Sequence, residues 1–336
     1  MVYKVIGLAV AVSTLAACSG AGQVATPTQQ QSQPQSAQSV RVNSVHADVR
    51  FGVDRDALAR ATAKRGRGSF PAAKQPTLFV SDLDNNTVWL FPAKTTNPMP
   101  SGSITQGINL PVNDAVDKNG TVYVANNGNS TVTEYPWGQT SPSVTLSTDI
   151  VNPNGIAVDS AGTVYVTSGS TIGQCSVLEF PKGATSPSVS VNGFGLPIGL
   201  AFDKAGNLYV ADAEFGNNHV WEVAKGTTTM TDLNLTDLEQ SVGLAINGGN
   251  NLYVTNNESS LVNAYHLGQT TPFLTLNDDI SGPYSIAFTK KGGLFVGNAG
   301  KFPGTVAGFR KGKKTPFENF SNGIGNPAGL AAFPPR

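Results

Sequence analysis

Residues that commonly carry catalytic chemistry are few in this sequence and stand far apart. The three histidines are His46, His219 and His266, and no serine occupies a Gly-x-Ser-x-Gly motif. The two cysteines, Cys18 and Cys175, form no Cys-x-x-Cys pair. We therefore predict no nucleophilic triad, no zinc site and no phosphate-binding loop, and we assign no catalytic residue.

The remaining candidates for chemistry are carboxylate, amide and phenol side chains, which bind ligands through hydrogen bonds. We select six of them as hypothetical ligand-binding residues: Asp82, Asn113, Asp114, Asn154, Asp212 and Tyr284. Each stands in or beside a short aliphatic or aromatic run that is typical of a β-strand. Whether these side chains meet depends on how the strands are arranged.

One strand pattern recurs six times along the chain. Aligned on its aromatic residue, "LFV", "VYV" or "LYV" gives a column spaced by 44, 42, 44, 44 and 42 residues: Phe79, Tyr123, Tyr165, Tyr209, Tyr253 and Phe295. A strand such as "GIAVD" or "GLAFD" also occurs six times, and a third strand with a central valine follows each aromatic strand. With a weaker fourth strand, each unit matches a β-propeller blade.

The two ends of the repeat predict how the ring closes. The first "LFV", at Leu78, has no "GLAF" strand before it, and the last "GLAAF", at Gly329, has no "LYV" strand after it. We therefore predict an all-β, six-bladed β-propeller over residues 75–336, with four antiparallel strands per blade and a ring closed by the C-terminal strand. The 37 glycines, 21 prolines and 13% charged residues agree with a loop-rich all-β chain.

Asp114 breaks this repeat. The other members of its column are apolar: Ile156, Leu200, Leu244, Ile286 and Leu330. A carboxylate at such a position is unfavourable unless it is hydrogen-bonded, neutralised or paired with a cation. Either a local kink lets Asp114 bond backbone amides, or Asp114 forms a ligand-contacting patch with Asn113 and Asn154. We expect ligands on the face of the loops that join strand four to strand one and strand two to strand three, where Tyr284, Asp82 and Asp212 also lie.

The segments "PNGIAVDSAGTVYVTSG", residues 153–169, and "GLAFDKAGNLYVADAEFGNN", residues 199–218, resemble NHL-repeat propellers. More distantly they resemble the SMP-30/gluconolactonase-like propellers. The resemblance extends over nearly all of residues 75–336 and implies the fold, but such folds host ligand binding, protein binding and hydrolysis alike. We interpret the protein as a non-enzymatic scaffold that binds an unknown protein or small-molecule ligand at the channel mouth.

The alternative function is a metal-dependent lactonase of the SMP-30 type. That resemblance implies a divalent cation such as calcium, held by Glu, Asn and Asp side chains just before the innermost strands. The corresponding positions are Val112, Asn154, Ile198, Val242, Tyr284 and Ala328, of which only Asn154 is a ligand type. Because a hard cation needs several oxygen ligands, we predict no metal and no other cofactor. A bulge near Asn113 would bring the Asn113–Asp114 pair back into this ring and favour the enzyme.

The first residues predict export. Lys4 precedes the apolar run Val5–Ala17, which is too short to span a bilayer stably. The motif "LAAC", Leu15–Cys18, resembles the lipobox of bacterial lipoproteins, which implies cleavage before Cys18 and its lipidation. Ser19 in place of aspartate favours the outer membrane if the organism is Gram-negative. The alternative is an ordinary secretory signal with an incidental cysteine.

We expect residues 1–17 to be a signal peptide and residues 18–74 a flexible, partly basic tether. Residues 19–39 contain no aromatic and no charged side chain, and such a segment buries too little apolar surface to fold. Residues 1–74 carry a net charge of +6 and the remainder −6. The basic segment can lie on anionic lipid or act as a solvated linker, whereas the acidic propeller is a poor partner for nucleic acid.

Overall fold

The computed structural model describes residues 76–334, except 95, 170, 172 and 215. The predicted signal peptide, Cys18 and the tether lie outside the described residues. In the described part, regular structure consists of twenty-four β-strands and one 3-10 turn, Asn127–Asn129. The prediction of an all-β fold is confirmed.

Six four-stranded antiparallel sheets form the six blades. The strands, in chain order, are β1 (Thr77–Asp82), β2 (Thr87–Pro92), β3 (Gly102–Ile104), β4 (Pro111–Val116), β5 (Val122–Asn126), β6 (Thr131–Tyr135), β7 (Val144–Leu146), β8 (Ile156–Val158), β9 (Val164–Ser168), β10 (Cys175–Phe180), β11 (Val189–Phe194), β12 (Pro197–Phe202), β13 (Leu208–Glu214), β14 (Asn217–Val223), β15 (Met230–Asp232), β16 (Ser241–Ile246), β17 (Asn251–Asn256), β18 (Leu261–His266), β19 (Leu274–Leu276), β20 (Pro283–Phe288), β21 (Leu294–Asn298), β22 (Thr305–Phe309), β23 (Glu318–Phe320) and β24 (Pro327–Phe333). Blade 1 has the order β24-β1-β2-β3, and the other five blades each use four consecutive strands.

The last strand closes the ring. β24 pairs antiparallel with β1, with Leu330 opposite Val80 and Ala331 opposite Phe79. The first blade therefore takes its innermost strand from the end of the chain and its other three from the beginning. The predicted six blades and their closure are confirmed, and no innermost strand is missing from a blade.

The repeated apolar columns form the cores between blades. The six valines of the third strands are fully buried: Val88, Val132, Val177, Val220, Val262 and Val306. Aromatic residues of the second strands pack across to the next blade, as Tyr165 does on Phe202, with ring centroids 4.8 Å apart. Tyr253 packs on Phe288 in the same way at 4.9 Å. Each blade thus needs a neighbour on both sides to bury its two faces, which is why the hairpin is repeated around a ring.

The recurring Asp-x-x-Gly stretch builds the turn between strands one and two. The Asp117 carboxylate accepts hydrogen bonds from the backbone N–H groups of Asn119 and Thr121, at 2.9 and 2.8 Å. Gly120 has a φ of +90°, a conformation that glycine adopts without a Cβ clash. Asp159 and Asp203 hold their own turns by equivalent bonds to backbone amides. The polar half of the repeat is therefore turn chemistry.

Candidate ligand-binding channel

The six innermost strands β4, β8, β12, β16, β20 and β24 line a central channel and approach one another closely at one level. Glycine stands at this level in four blades: Gly199, Gly243 and Gly329 within the innermost strand, and Gly155 directly before β8. A Cβ atom on Gly199 would lie against the carbonyl oxygen of Val242 and 2.9 Å from the nitrogen of Leu244. The glycine column of the repeat therefore allows neighbouring inner strands to meet backbone to backbone.

The channel contains a cavity of about 690 Å³, a size typical of small-molecule sites. Among the wall residues of each innermost strand, one stands in equivalent register, opposite a valine of the second strand. These six residues, which we call the channel ring, are Asp114, Ile156, Leu200, Leu244, Ile286 and Leu330. The five apolar members are between 4 and 7% exposed. Each of these five also belongs to an apolar cluster between blades, so most of the side chain is packed within the fold and only a small part borders the cavity.

The carboxyl group of Asp114 is buried and receives no hydrogen bond from another described residue. The residue is 3% exposed, and neither carboxyl oxygen has a hydrogen-bond partner among the described residues. Its backbone N–H donates instead to Oδ1 of Asn113 at 2.9 Å. Desolvation by burial raises the pKa of Asp114 to about 8. The carboxyl group is therefore enclosed within the fold, with Oδ1 close to Gly329 of β24, rather than open to the cavity.

Apolar side chains fill one end of the channel, the end next to the loops that join strand four to strand one. Val112, Ile198, Val242 and Ala328 are at most 8% exposed there. Tyr284 packs both against the cluster that contains Val112 and Ala328 and against the cluster of Ile198 and Val242. Its side chain thus bridges strands on different sides of the ring, and burial raises its pKa to about 12.

The opposite end of the cavity reaches solvent between the strand one to strand two turns. Exposed turn residues line this mouth, among them Lys118, Ser160, Lys204 and Gly248. Five carboxyl groups and three lysines line the cavity as a whole: Asp114, Asp117, Asp159, Glu179, Asp203, Lys118, Lys204 and Lys225. The wall of the cavity therefore carries more carboxyl groups than lysines.

Two of the selected carboxylates, Asp82 and Asp212, hold loops. Asp82 accepts hydrogen bonds from the indole Nε1 of Trp89 at 3.0 Å and from the backbone N–H of Gly325 at 2.8 Å. Asp212 accepts equivalent bonds from the indole of Trp221 and from the backbone N–H groups of Gly195 and Leu196.

The same position lies at the end of the second strand in five blades and two residues before it in β13, and in all six its side chain accepts a backbone N–H from the loop before the first strand. The six residues of this loop-holding column are Asp82, Asn126, Ser168, Asp212, Asn256 and Asn298. Burial outweighs the hydrogen bonds at Asp82 and raises the pKa of its carboxyl group. Because their oxygens are engaged within the fold, Asp82 and Asp212 contribute to the shape of the propeller face.

Of the six residues selected from the sequence, the structure brings Asn113, Asp114 and Tyr284 together in the wall of one cavity. Asn154 lies outside that wall, and its Oδ1 accepts a hydrogen bond from Asn127 Nδ2 at 3.3 Å. Sequence reasoning missed the mouth at Lys118 and Lys204. The "DKNG" and "DKAG" turns mark those residues in the sequence, but they lie on the side opposite the face on which we expected ligands.

The positions that the lactonase resemblance would assign to metal ligands lie at the end of the channel that Tyr284 and its apolar neighbours fill. The register of β4 shifts between Pro111 and Asn113, so a bulge is present. The same shift occurs in β12 and β20, and Asn113 consequently stays level with Gly199 and Ser285. No group of three His, Cys, Asp or Glu side chains within the described residues could hold a metal ion. None of the helical structure in residues 76–334 has the length and apolar character that a membrane crossing requires.

Comparisons with known proteins agree with this architecture. The NHL repeat family model matches residues 194–222, which include β12 and β13. A chain in the crystal structure of a nidogen/laminin complex is similar over 76% of this chain and 98% of that chain, with 16% identity and a TM-score of 0.64. A protein of unknown function from Bacteroides caccae is similar over 77% of this chain and 99% of that chain, with 12% identity and a TM-score of 0.62. No curated protein sequence matches the chain. At these identities the solved structures show the fold alone, and with the repeat match they support an NHL-type β-propeller.

Proposed function

We propose that this protein is a non-enzymatic binding module that takes a small ligand into the central channel of its propeller. The single observation that carries the proposal is the cavity of about 690 Å³ at the innermost strands, whose wall combines apolar residues with the polar and charged residues of the strand one to strand two turns. Pockets that bind small molecules are mostly apolar and contain a few polar groups that orient the ligand. A small molecule fits this arrangement better than a protein does, because the cavity is a recess among the innermost strands and a flat partner surface does not enter it.

We further propose that the module is exported and anchored in the cell envelope through lipid on Cys18, with the outer membrane as its site in a Gram-negative organism. The support is the "LAAC" motif behind an apolar run, and several acyl chains on one residue give stable anchoring. Residues 18–74 then serve as the tether that holds the propeller near the membrane. In this arrangement the propeller meets small molecules outside the cytoplasm.

The test of channel binding is a thermal-shift screen of the full mature chain against a panel of small organic cations, anions and neutral compounds. We expect at least one chemical class to raise the melting temperature, because a ligand that binds only the folded state stabilises it. The matched variants are Gly248→Trp and Ser160→Trp, which place a bulky side chain at exposed positions of the cavity wall and so obstruct the cavity without changing a core residue. A panel without any stabilising compound, or equal shifts in wild type and both variants, would overturn the proposal.

A further inference from the structure

We propose that the propeller docks on an anionic phospholipid surface through the face formed by its strand one to strand two turns and its strand three to strand four turns. We call this face the turn face. Its main contact is a cluster of cationic side chains on blade 6. The inference goes beyond ligand binding in the channel, and it does not require lipid on Cys18, because it rests on charges of the propeller itself.

The turn face carries almost all of the basic side chains of the propeller. Eleven of the twelve lysine and arginine residues among the described residues stand in its turns, and all eleven are exposed. Six of them belong to blade 6: Lys290, Lys291, Arg310, Lys311, Lys313 and Lys314. The other five belong to blades 1 to 4: Lys94, Lys118, Lys182, Lys204 and Lys225. Lys301, in the strand two to strand three loop of blade 6, lies on the opposite face.

Contacts between neighbouring turns place these side chains on one surface. The turns of blades 2 to 5 meet at the channel mouth, and those of blades 5 and 6 meet at a recess of about 200 Å³. The backbone N–H of Lys204 donates to Oδ1 of Asn250 in the next blade at 3.3 Å. Within blade 6, the stem of Lys311 packs over Gly292, where an added Cβ would lie 3.2 Å from its Cδ. None of the twelve basic side chains forms a salt bridge with another described residue.

The recess between blades 5 and 6 is the most cationic part of the turn face. Five cationic side chains line it: Lys290, Lys291, Arg310, Lys311 and Lys313. No carboxyl group of the described residues lines it. The Arg310 Cζ lies 5.2 Å from the centroid of the Phe317 ring, a cation–π contact that orients the guanidinium group. Charged donors of this kind bind phosphate oxygens, which lipid headgroups supply.

Blades 5 and 6 lack the carboxyl groups that the repeat places in blades 2 to 4. The turn aspartate is replaced by Asn247 and Thr289, which hold the same turns through neutral oxygens. The glutamate of strand three that stands opposite the column aromatic is replaced by Ala264 in blade 5 and by Gly308 in blade 6. The lysine cluster therefore stands where the repeat provides no negative charge to offset it.

Carboxyl groups elsewhere near the turn face are recessed. None of the seven is exposed: Asp117, Glu134, Asp159, Glu179, Asp203, Glu222 and Glu318. Burial raises the pKa of Glu134 and of Glu179. The exposed carboxyl groups of the described residues lie in the loops of the opposite face: Asp84, Asp149, Asp237, Glu239, Glu258, Asp278 and Asp279. The exposed charge of the propeller is therefore polarised between its two faces, and a negative surface attracts the turn face.

The preceding chain joins the propeller at the turn face. The carbonyl oxygen of Pro76, directly before β1, accepts the backbone N–H of Ala93 at 2.9 Å. Ala93 stands in the turn between β2 and β3, next to Lys94. Residues 18–74 are therefore connected to the propeller on its cationic side. A chain anchored through Cys18 would be held with this side nearest to its point of attachment.

A lipid surface accounts for the distribution of charge better than a soluble anion does. The basic side chains extend over five blades, whereas a free phosphate contacts one site. Two exposed apolar side chains, Met99 and Phe273, stand in strand three to strand four turns of the blades on either side of blade 6, with 50 and 46% exposure. Lysines attract the anionic headgroups, and apolar side chains beside them enter the boundary between headgroups and acyl chains.

The experiment is vesicle co-sedimentation of the mature chain from residue 18 with Cys18→Ser, so that no lipid is attached. Vesicles of phosphatidylcholine with about 30 mol% phosphatidylglycerol are compared with vesicles of phosphatidylcholine alone. We expect partition onto the anionic vesicles to be stronger by about tenfold or more. It should fall by about tenfold or more when the salt concentration is raised from about 0.05 M to about 0.5 M, because salt screens the attraction.

Charge variants separate the turn face from the basic tether and from net charge. The recess variant combines four substitutions: Lys290→Gln, Lys291→Gln, Lys311→Gln and Lys313→Gln. Its partition onto anionic vesicles should fall by about tenfold or more, although the tether is unchanged. A second variant adds four substitutions on the opposite face, which restore the net charge: Glu239→Gln, Glu258→Gln, Asp278→Asn and Asp279→Asn. We expect it to partition as weakly as the recess variant.

Labels at the two ends of blade 5 report the orientation. Gly248→Cys lies on the turn face, where an added Cβ has no heavy atom within 4 Å. Glu258→Cys lies in the strand two to strand three loop on the opposite face, and the native Cys175 is buried. With a fluorophore on either cysteine and a quencher on the lipid headgroups, we expect strong quenching at position 248 and little at position 258.

The outcomes separate this inference from the binding function. Unchanged partition of the folded recess variant, recovery of partition in the charge-restored variant, or equal quenching at the two labels would overturn docking through the turn face. Binding of inorganic phosphate or of a single-stranded RNA without binding of the anionic vesicles would overturn the assignment to lipid. Channel binding is tested separately by the thermal-shift panel, and none of these results alters it.

Discussion

Gly325 donates its backbone N–H to the Asp82 carboxylate at 2.8 Å, although the two residues are 243 positions apart in the chain. Asn326 donates to the same carboxylate at 3.0 Å, and β24 then pairs with β1. The loop before the closing strand is thereby fixed to the first blade. The ring is thus closed by two sets of contacts: the hydrogen bonds to the buried Asp82 carboxylate and the pairing of β24 with β1.

Removal of the closing strand should destabilise the whole ring. A chain that ends at Asn326 lacks β24, which leaves β1 with an unpaired edge and exposes Leu78 and Val80, both fully buried in the intact protein. We expect the melting temperature to fall by about 10 °C or more, because several buried side chains lose their partners. A chain that ends at Pro334 keeps β24 and is the control. Equal melting temperatures for the two chains in differential scanning calorimetry would contradict the closed ring.

The glycine column predicts a sharp difference between two alanine substitutions. Gly199→Ala places a methyl group against backbone atoms of β16, which cannot move without breaking the inner ring, and should cost about 2 kcal/mol or more. Gly248→Ala is the matched control, because a Cβ there has no heavy atom within 4 Å. Its effect should stay within about 1 kcal/mol. Urea denaturation measures both, and equal losses would show that the close approach of strands is not what requires glycine.

The loop-holding column makes Asp212 a structural residue. Asp212→Ala leaves the backbone N–H groups of Gly195 and Leu196 and the indole of Trp221 without their acceptor. We expect the free energy of unfolding to fall by about 2–4 kcal/mol, since each unsatisfied buried donor costs about 1–3 kcal/mol. Asp278→Ala, at an exposed position, should change it by less than about 0.5 kcal/mol. A loss of stability in Asp278→Ala as large as that in Asp212→Ala would contradict the assignment.

The fold was predictable from the sequence because its physics is local and repeated. Each blade repeats the same valine and aromatic columns, so the period identifies the architecture before any contact is known. Closure was predictable for the same reason, since "LFV" at Leu78 lacks a first strand and "GLAAF" at Gly329 lacks a second.

The open end of the channel was not predictable, because it depends on packing across the ring. Tyr284 contacts clusters that contain residues of β4, β12, β16 and β24, and no local pattern states which way its ring turns. The sequence shows Asp114 as the one polar residue in an otherwise apolar column. Whether another residue donates a hydrogen bond to its carboxyl group depends on where the backbone amides of other strands point, which no local pattern states. The sequence therefore identifies the unusual residue, and only the assembled ring shows its surroundings.

Cys18 provides a prediction outside the described residues. If "LAAC" acts as a lipobox, the mature chain begins at Cys18 and carries acyl chains there. Mass spectrometry of the N-terminal peptide should show a mass increase of fatty acyl size, and the protein should enter the detergent phase on Triton X-114 partition. Cys18→Ser should move the chain to the aqueous phase, while Cys175→Ser, which changes the buried cysteine of β10, should not. An unmodified mature N-terminus downstream of Cys18 would exclude the anchor.

The pH dependence of stability tests the burial of Asp114 without any ligand. The pKa of its carboxyl group is raised to about 8 in the folded state, against about 3.9 in an unfolded chain. The folded state therefore holds a proton that the unfolded state has lost between about pH 4 and pH 8. Across this window the free energy of unfolding should decrease with rising pH by up to about 1.4 kcal/mol per unit from this group, and the decrease should stop above pH 8.

Asp114→Asn isolates that contribution, because asparagine resembles the protonated acid at every pH. Other buried acids, including Glu318, whose pKa burial raises to about 7, act equally in both proteins and cancel in the comparison. We expect the variant and the wild type to melt at similar temperatures at pH 5, and the variant to melt higher at pH 9. A difference in melting temperature that is the same at pH 5 and pH 9 would mean that the folded protein solvates or pairs the Asp114 carboxylate.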